Sequence, residues 1–101
     1  MKLPKYLIVC GEKYIVKQDT QSNGGSFDTF KREIVIGTID KPKILAVLLH
    51  EVTELVFSIR NLRYTKQVVD PDNGDILFSM DHEQFNQAME DAAATLKGVF
   101  N

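Results

Sequence analysis

The pattern of apolar and polar positions divides the N-terminal part of the chain into short β-type segments. KYLIVC and YIVKQ are rich in β-branched and aromatic residues, and the GEK between them predicts two strands joined by a tight glycine turn. DTQSNGGS, with Gly24 and Gly25, follows as a predicted flexible loop. Residues 31–36 alternate and then run apolar, which predicts a third strand.

A long helical segment follows, over residues 44–59. Its apolar residues occur on nearly every face, which predicts a helix that is buried on most sides. Asp40 is a suitable N-cap and Pro42 is tolerated in the first turn, so we expect the helix to begin at Asp40. The few polar residues that interrupt it therefore need an explanation: His50, Glu51, Thr53, Glu54 and Ser58.

The C-terminal third predicts a hairpin and a second helix. Residues 63–69 and 76–80 form the expected arms around a turn at 70–75, where Asn73 and Gly74 give the strongest signal. Asp81 with Gln84 predicts a capped helix start. One inward-facing seam then follows, which His82 continues at its start: Phe85, Met89, Ala92, Leu96 and Val99. The order of elements predicts a single α+β domain over residues 1–101, with a short sheet of about three to five strands packed with a buried motif helix and an amphipathic C-terminal helix.

Composition narrows the classes of partner. The chain has 101 residues, 44% of them apolar, and a net charge of −2 with scattered basic residues. One compact domain is expected, and neither nucleic acid nor an anionic membrane is an expected partner. Cys10 is the only cysteine, so the chain cannot form an internal disulfide, and a lone cysteine favours the cytoplasm. Because Cys10 lies in a predicted strand, we expect it to be a small buried residue. The N-terminal apolar run is too short for a signal sequence, and no apolar stretch is long enough to span a bilayer.

The polar residues of the motif helix, in LLHEVTELV, have the spacing of a metal site. His50 and Glu54 are four residues apart, so both side chains lie on one helix face and can converge on one ion. His82, the only other histidine, is the candidate third ligand, because a catalytic zinc needs three protein ligands and an open position. Glu51 lies about 100° further round the helix. In the zinc-protease helix motif H-E-x-x-H, which this segment nearly matches, a glutamate at that position lies beside the metal-bound water, so Glu51 is the candidate general base.

Other interpretations of these residues stay open. H-E-x-x-E occurs by chance in roughly 1% of chains of this length. A solvent-facing polar notch or a salt-bridged cluster would also explain the residues on the motif helix, and a neutral histidine is unremarkable at a helix start. Two histidines and one carboxylate are also the ligand set of non-haem iron sites. Arg60 or Tyr64 could stabilise an oxyanion, although a surface arginine and a strand tyrosine are simpler explanations.

The run KREIVIGTIDKPKILAVLLHEVTELV, with SMDHEQFNQAMEDAAATLKGVF after it, resembles small phage-type zincin-like proteins, a family of minimal metallopeptidases. The resemblance covers roughly residues 24–100 and is carried by His50, Glu51, Glu54 and His82. It implies a zincin-like fold and a zinc ion held by His50, Glu54 and His82, with manganese or iron left open. It also implies Glu51 as general base and a sheet edge, expected at residues 31–36, that pairs with a peptide substrate.

Two functions follow from this resemblance. The first is a metal-dependent hydrolase, specifically a peptidase acting on a peptide or protein. The second is a catalytically inactive accessory protein of a phage or mobile element that binds another protein. Glu51 distinguishes them, because a structural metal site has no need of a general base.

Overall fold

Four short strands form one mixed sheet in the computed structural model, which describes residues 2–65, 76–78, 80–97 and 99. They are β1 (Tyr6–Val9), β2 (Glu12–Asp19), β3 (Gly25–Asp28) and β4 (Glu33–Gly37). The order across the sheet is β1-β2-β4-β3, with β2 and β4 parallel and each outer strand antiparallel to its neighbour. The third predicted strand is therefore β4, inside the sheet. The expectation that residues 31–36 form the edge is wrong, because β3 lies outside them.

A two-residue turn joins β1 to β2. Val9 pairs with Glu12, and between them Cys10 and Gly11 both have positive φ, at 49° and 84°. Such a pair of positive φ values is typical of the turns whose twist matches that of antiparallel strands, and glycine adopts it without steric cost. The predicted glycine turn is confirmed. The expectation that Cys10 is a buried strand residue is wrong, because the turn carries it to the exposed surface.

The segment predicted as a flexible loop is hydrogen-bonded to the last residue of β4 and to the two residues after it. The amide of Gly37 donates to the carbonyl of Gly24 at 2.6 Å, Thr38 donates to Asp19 at 3.0 Å, and Ile39 donates to Ser22 at 3.2 Å. The side-chain pattern does not predict β3, because SNGGSFD has no alternation of apolar and polar residues. Backbone pairing with β4, rather than side-chain pattern, makes β3 a strand.

The motif helix α1 runs over Ile44–Ile59. A 3₁₀ turn, Lys41–Lys43, precedes it, and the Asp40 side chain makes no cap hydrogen bond. The predicted cap is therefore wrong. At the other end Asn61 has a φ of 58°, and the amide of Leu62 donates to the carbonyl of Phe57 at 2.8 Å. This is the Schellman arrangement, which satisfies the last carbonyls of the helix.

The hairpin and the last helix follow. β5 (Arg63–Thr65) pairs antiparallel with β6 (Ile76–Phe78), which confirms the hairpin for these residues. Met80, the last residue of the predicted second arm, is not in a strand, and residues 66–75 and 79 lie outside the described residues. Helix α2 runs over His82–Leu96. Asp81 and Gln84 form the predicted capping box, with Gln84 N donating to Asp81 Oδ1 at 2.8 Å and Asp81 N donating to Gln84 Oε1 at 2.9 Å.

The core lies between one face of the sheet and the two helices. The largest fully buried side chains come from the sheet and from α1: Ile34, Ile36, Leu48, Leu55, Val9, Val52 and Val56. Helix α2 adds Ala88, Ala92 and Leu96. Residues 51–59 of α1 are all buried or half-buried, as expected of a helix buried on most sides, whereas Leu45 and Leu49 in its first half are exposed. Phe85 is likewise exposed rather than part of an inward seam. The α+β class predicted from the order of elements is confirmed.

Candidate metal centre

One group of potential metal ligands occurs among the described residues: His50, Glu51 and Glu54, whose ligand atoms all lie within 4.8 Å of one another. His50 Nε2 is 2.5 Å from Glu54 Oε2 and 3.9 Å from Glu51 Oε2. The side chains differ in exposure, at 66% for His50, 19% for Glu54 and 9% for Glu51. The group therefore opens to solvent through the histidine, while its carboxylates lie deeper.

The edge strand passes close over the buried part of this group. A Cβ at Gly25, the first residue of β3, would lie 2.8 Å from Glu51 Cγ and 2.8 Å from Val47 Cγ1. Only glycine allows the strand backbone to approach the helix this closely. The Glu51 side chain is therefore held between the sheet edge on one side and His50 on the other.

The donor set fits a zinc ion. Two ligands of a tetrahedral zinc with bonds of 2.0–2.2 Å lie about 3.3 Å apart. The imidazole nitrogen of His50 and the Glu54 carboxylate oxygen are now closer than this, at hydrogen-bond distance. Both side chains are partly exposed, so small side-chain rotations could move the two atoms apart. An increase of less than about 1 Å in their distance would reach the spacing of zinc ligands. Imidazole and carboxylate also suit manganese and iron.

His82 does not belong to this group. It is the first residue of α2 and is exposed, so the expectation that it faces inward is wrong. A hollow lined by Arg60, Leu62 and the first turns of α2 places the helix start beside the far end of α1. Arg60 is ten residues beyond His50, which corresponds to about 15 Å along a helix. Ligation by His82 stays a prediction that requires a different position of this helix start.

Arg60 has a structural partner. Its Nε contacts the carboxylate of Asp91 on α2, and the Cys10 thiol lies 3.9 Å from the same carboxylate. Burial, and then the negative charge of Asp91, raise the pKa of Cys10 above its usual value. The oxyanion role considered for Arg60 has no support in this arrangement, which joins the end of α1 to α2 and to the β1–β2 turn.

Sequence reasoning missed two features of the site. The first is Gly25, because the Gly24-Gly25 pair predicts only a flexible loop. The second is Leu49, which the apolar pattern of the helix predicts as buried but which is 48% exposed beside His50. A helical wheel does not reveal its exposure, because Leu49 lies only about 20° round the helix from Val56, which is fully buried.

Comparison with protein-family models, with curated proteins and with solved structures finds no match for this chain. Among the described residues, no helix combines the length and the apolar character needed to cross a bilayer. The candidate site is therefore judged from the geometry of His50, Glu51 and Glu54.

Proposed function

We propose that the chain is a small metal-dependent hydrolase of the zincin-like type, most simply a zinc peptidase. In this proposal His50 and Glu54 are metal ligands and Glu51 is the general base. The observation that carries it is the convergence of one imidazole and two carboxylates within 4.8 Å on a single helix, as the spacing of H-E-x-x-E requires.

The third ligand is the point on which sequence and structure differ. The resemblance to the phage-type family implies His82, whereas the described residues bring Glu51 within 3.9 Å of His50. Our proposal keeps Glu51 as the base, because its carboxylate is the most buried of the three and lies under the edge strand. His82 remains the proposed third ligand, to be tested directly.

The chemistry divides between the ion and the protein. When bound, zinc lowers the pKa of water and polarises a carbonyl group. In this proposal Glu51 would accept the proton of the attacking water and pass it to the leaving amine.

A peptide is the proposed substrate because of the sheet edge. β3 is the terminal strand of the four-stranded sheet, and its first residue contacts the helix at Glu51. An extended peptide can add to such an edge through main-chain hydrogen bonds. Pairing there would carry its backbone past the Glu51 carboxylate.

Metal content is the first test. The protein, purified without a histidine tag or added metal, is compared with His50→Ala, Glu54→Ala and His82→Ala variants after zinc is offered and excess is removed. About one zinc per chain is expected, as for a catalytic site, with loss in the first two variants. Zinc that persists in both of these variants would refute the ligand assignment. Loss in His82→Ala would establish the third ligand.

A non-catalytic binding module is the second candidate, because the outer face of β1 and β2 exposes Tyr6, Ile8 and Ile15. Glu51→Gln separates the candidates, since the amide keeps the shape of the side chain but cannot take a proton. In a hydrolase this variant binds zinc and loses peptide hydrolysis. A variant as active as the parent would refute the catalytic role.

We place the protein in the cytoplasm because Cys10 is a free, exposed thiol.

A further inference from the structure

A cavity of about 570 Å³ lies between the end of the sheet and the start of α1. β2 and β4 are parallel, so both strands end on this side of the molecule. The cavity is lined by Gln18 and Thr20, around the end of β2, and by Thr38, which follows β4. Lys2, before β1, and Lys41, in the 3₁₀ turn before α1, also line it. None of the proposed metal ligands does, so the cavity is distinct from the candidate metal centre.

The inner part of this cavity is apolar. Leu3 and Ile44 line it and are only 7% and 9% exposed. Gln18 lies on the same face of β2 as the buried residues Tyr14 and Val16, because alternate residues of a strand share a face. The cavity therefore leads from solvent into the layer between the sheet and the helices, with walls from separate parts of the chain. Its volume is in the range of small-molecule sites.

The outer part of the cavity is positively charged. Lys2 and Lys41 form no ion pair within the described part of the chain. The acidic residues next to these walls in sequence have other partners. Asp19 Oδ1 accepts a backbone amide of the following turn at 2.9 Å, and Asp40 Oδ2 lies 3.8 Å from Lys43 Nζ. No carboxylate is among the described residues that line the cavity, so an anion would meet two uncompensated ammonium groups.

The neutral polar walls narrow the class of anion. Thr20 and Thr38 each offer a hydroxyl donor, and Gln18 offers an amide donor. Together with the two ammonium groups, these donors come from several sides of the cavity. Such an arrangement suits the three oxygens of a tetrahedral phosphoryl group better than the two coplanar oxygens of a carboxylate, and lysine is a common phosphate ligand.

We propose that this cavity binds a small phosphate monoester that carries an apolar group. Lys2 and Lys41 bind the phosphate with the help of the threonine hydroxyls, and the apolar group packs against Leu3 and Ile44. The site is independent of the proposed function, because it shares no residue with the candidate metal centre.

Phenyl phosphate is the probe that tests this site. It is titrated into the ¹⁵N-labelled full chain, and the amide resonances report both the affinity and the location of binding. We expect saturable shifts for Leu3, Thr20, Thr38 and Lys41, and none for His50. Shifts centred on His50 instead would assign the anion to the candidate metal centre and overturn the cavity as its site.

Three related compounds test the chemistry of the ligand. Inorganic phosphate lacks the ring and should bind at least about tenfold more weakly, because no apolar surface leaves water. Phenol lacks the charge and should leave these amides unshifted. Benzoate should also bind at least about tenfold more weakly than phenyl phosphate. Benzoate that binds as tightly as phenyl phosphate would overturn the assignment to a phosphate.

Matched variants separate a specific site from general attraction of anions. Lys2→Gln and Lys41→Gln should each weaken the binding of phenyl phosphate at least about fivefold. Both lysines are exposed, so neither change should affect the fold. Lys31→Gln is the control, because it removes the same charge from an exposed lysine between β3 and β4 that does not line the cavity. An equal loss of affinity in this control would overturn the proposal, as would the absence of saturable shifts up to about 10 mM phenyl phosphate.

Discussion

The close contact between the edge strand and the motif helix predicts the effect of a single methyl group at Gly25. In Gly25→Ala the new Cβ would lie 2.8 Å from Glu51 Cγ, 2.8 Å from Val47 Cγ1 and 3.1 Å from the carbonyl oxygen of Val35. These atoms belong to two side chains of α1 and to the backbone of β4. None of them is the free end of a long side chain, so either β3 or α1 must shift.

The expected change in the free energy of unfolding of Gly25→Ala is the sum of two opposing effects. Overpacking a close contact costs about 1–3 kcal/mol. Replacing glycine with alanine returns about 0.4–1 kcal/mol, because the unfolded chain loses conformational freedom. The net expectation is a loss of about 1–2 kcal/mol in the free energy of unfolding. For a domain of this size, each lost kcal/mol lowers Tm by about 4–8 °C.

The neighbouring glycine provides the control. In Gly24→Ala the nearest described atom to the new Cβ is Ser22 Oγ at 3.9 Å, an ordinary contact. This variant should be as stable as the parent or slightly more stable. Thermal unfolding of the three proteins, followed by circular dichroism in the presence of a chelator, compares them without any contribution from bound metal. If Gly25→Ala melts together with Gly24→Ala, the approach of β3 to Glu51 is not as close as described.

Three further predictions concern other parts of the fold. Asp81→Ala removes half of the capping box of α2 and should cost about 1 kcal/mol in urea unfolding, whereas alanine at the exposed position Glu83 should cost less; equal losses would contradict the capping role. Asp91→Asn removes a negative charge beside Cys10 and should lower the pKa of that thiol, so its alkylation by iodoacetamide at mildly alkaline pH should become faster; an unchanged pH profile of the rate would show that the two groups do not interact. The pKa of Asp28 is lowered by hydrogen bonds from the amides of Lys31 and Phe30, so its stabilising effect is present above its ordinary pKa and is lost as the pH falls through the lowered value. Asp28→Asn should therefore lose less stability than the parent between about pH 5 and about pH 2, and parallel losses would contradict the prediction.

The sequence predicts best where side-chain chemistry alone determines local structure. The capping box at Asp81 and Gln84 and the glycine turn at Gly11 depend on residues next to one another, and both are confirmed. The extent of α1 follows from its continuous apolar character. Its start does not, because a proline in the first turn is compatible with a 3₁₀ turn as well as with an α-helix.

Features that depend on tertiary packing could not be predicted from pattern. β3 is a strand because β4 supplies its hydrogen bonds, and its own residues carry no β signal. Leu49 and Phe85 have core-type side chains, but no element in the described part of the chain packs over either of them closely enough to exclude solvent. The same distinction applies to the site. Helical spacing alone placed His50, Glu51 and Glu54 together, whereas the position of His82 depends on how the hairpin directs α2.

The strand order β1-β2-β4-β3 also has a consequence for how the sheet assembles. It consists of two local hairpins, β1 with β2 and β3 with β4, that meet along the single parallel pair β2–β4. Each hairpin closes a short loop, whereas the parallel seam requires a larger loss of chain entropy. We therefore expect the hairpins to form early and the seam to form late. The pairing of β2 with β4 would then limit the rate of folding. Because this step also brings β3 into its position at the edge, that edge of the sheet would form only when all four strands are paired.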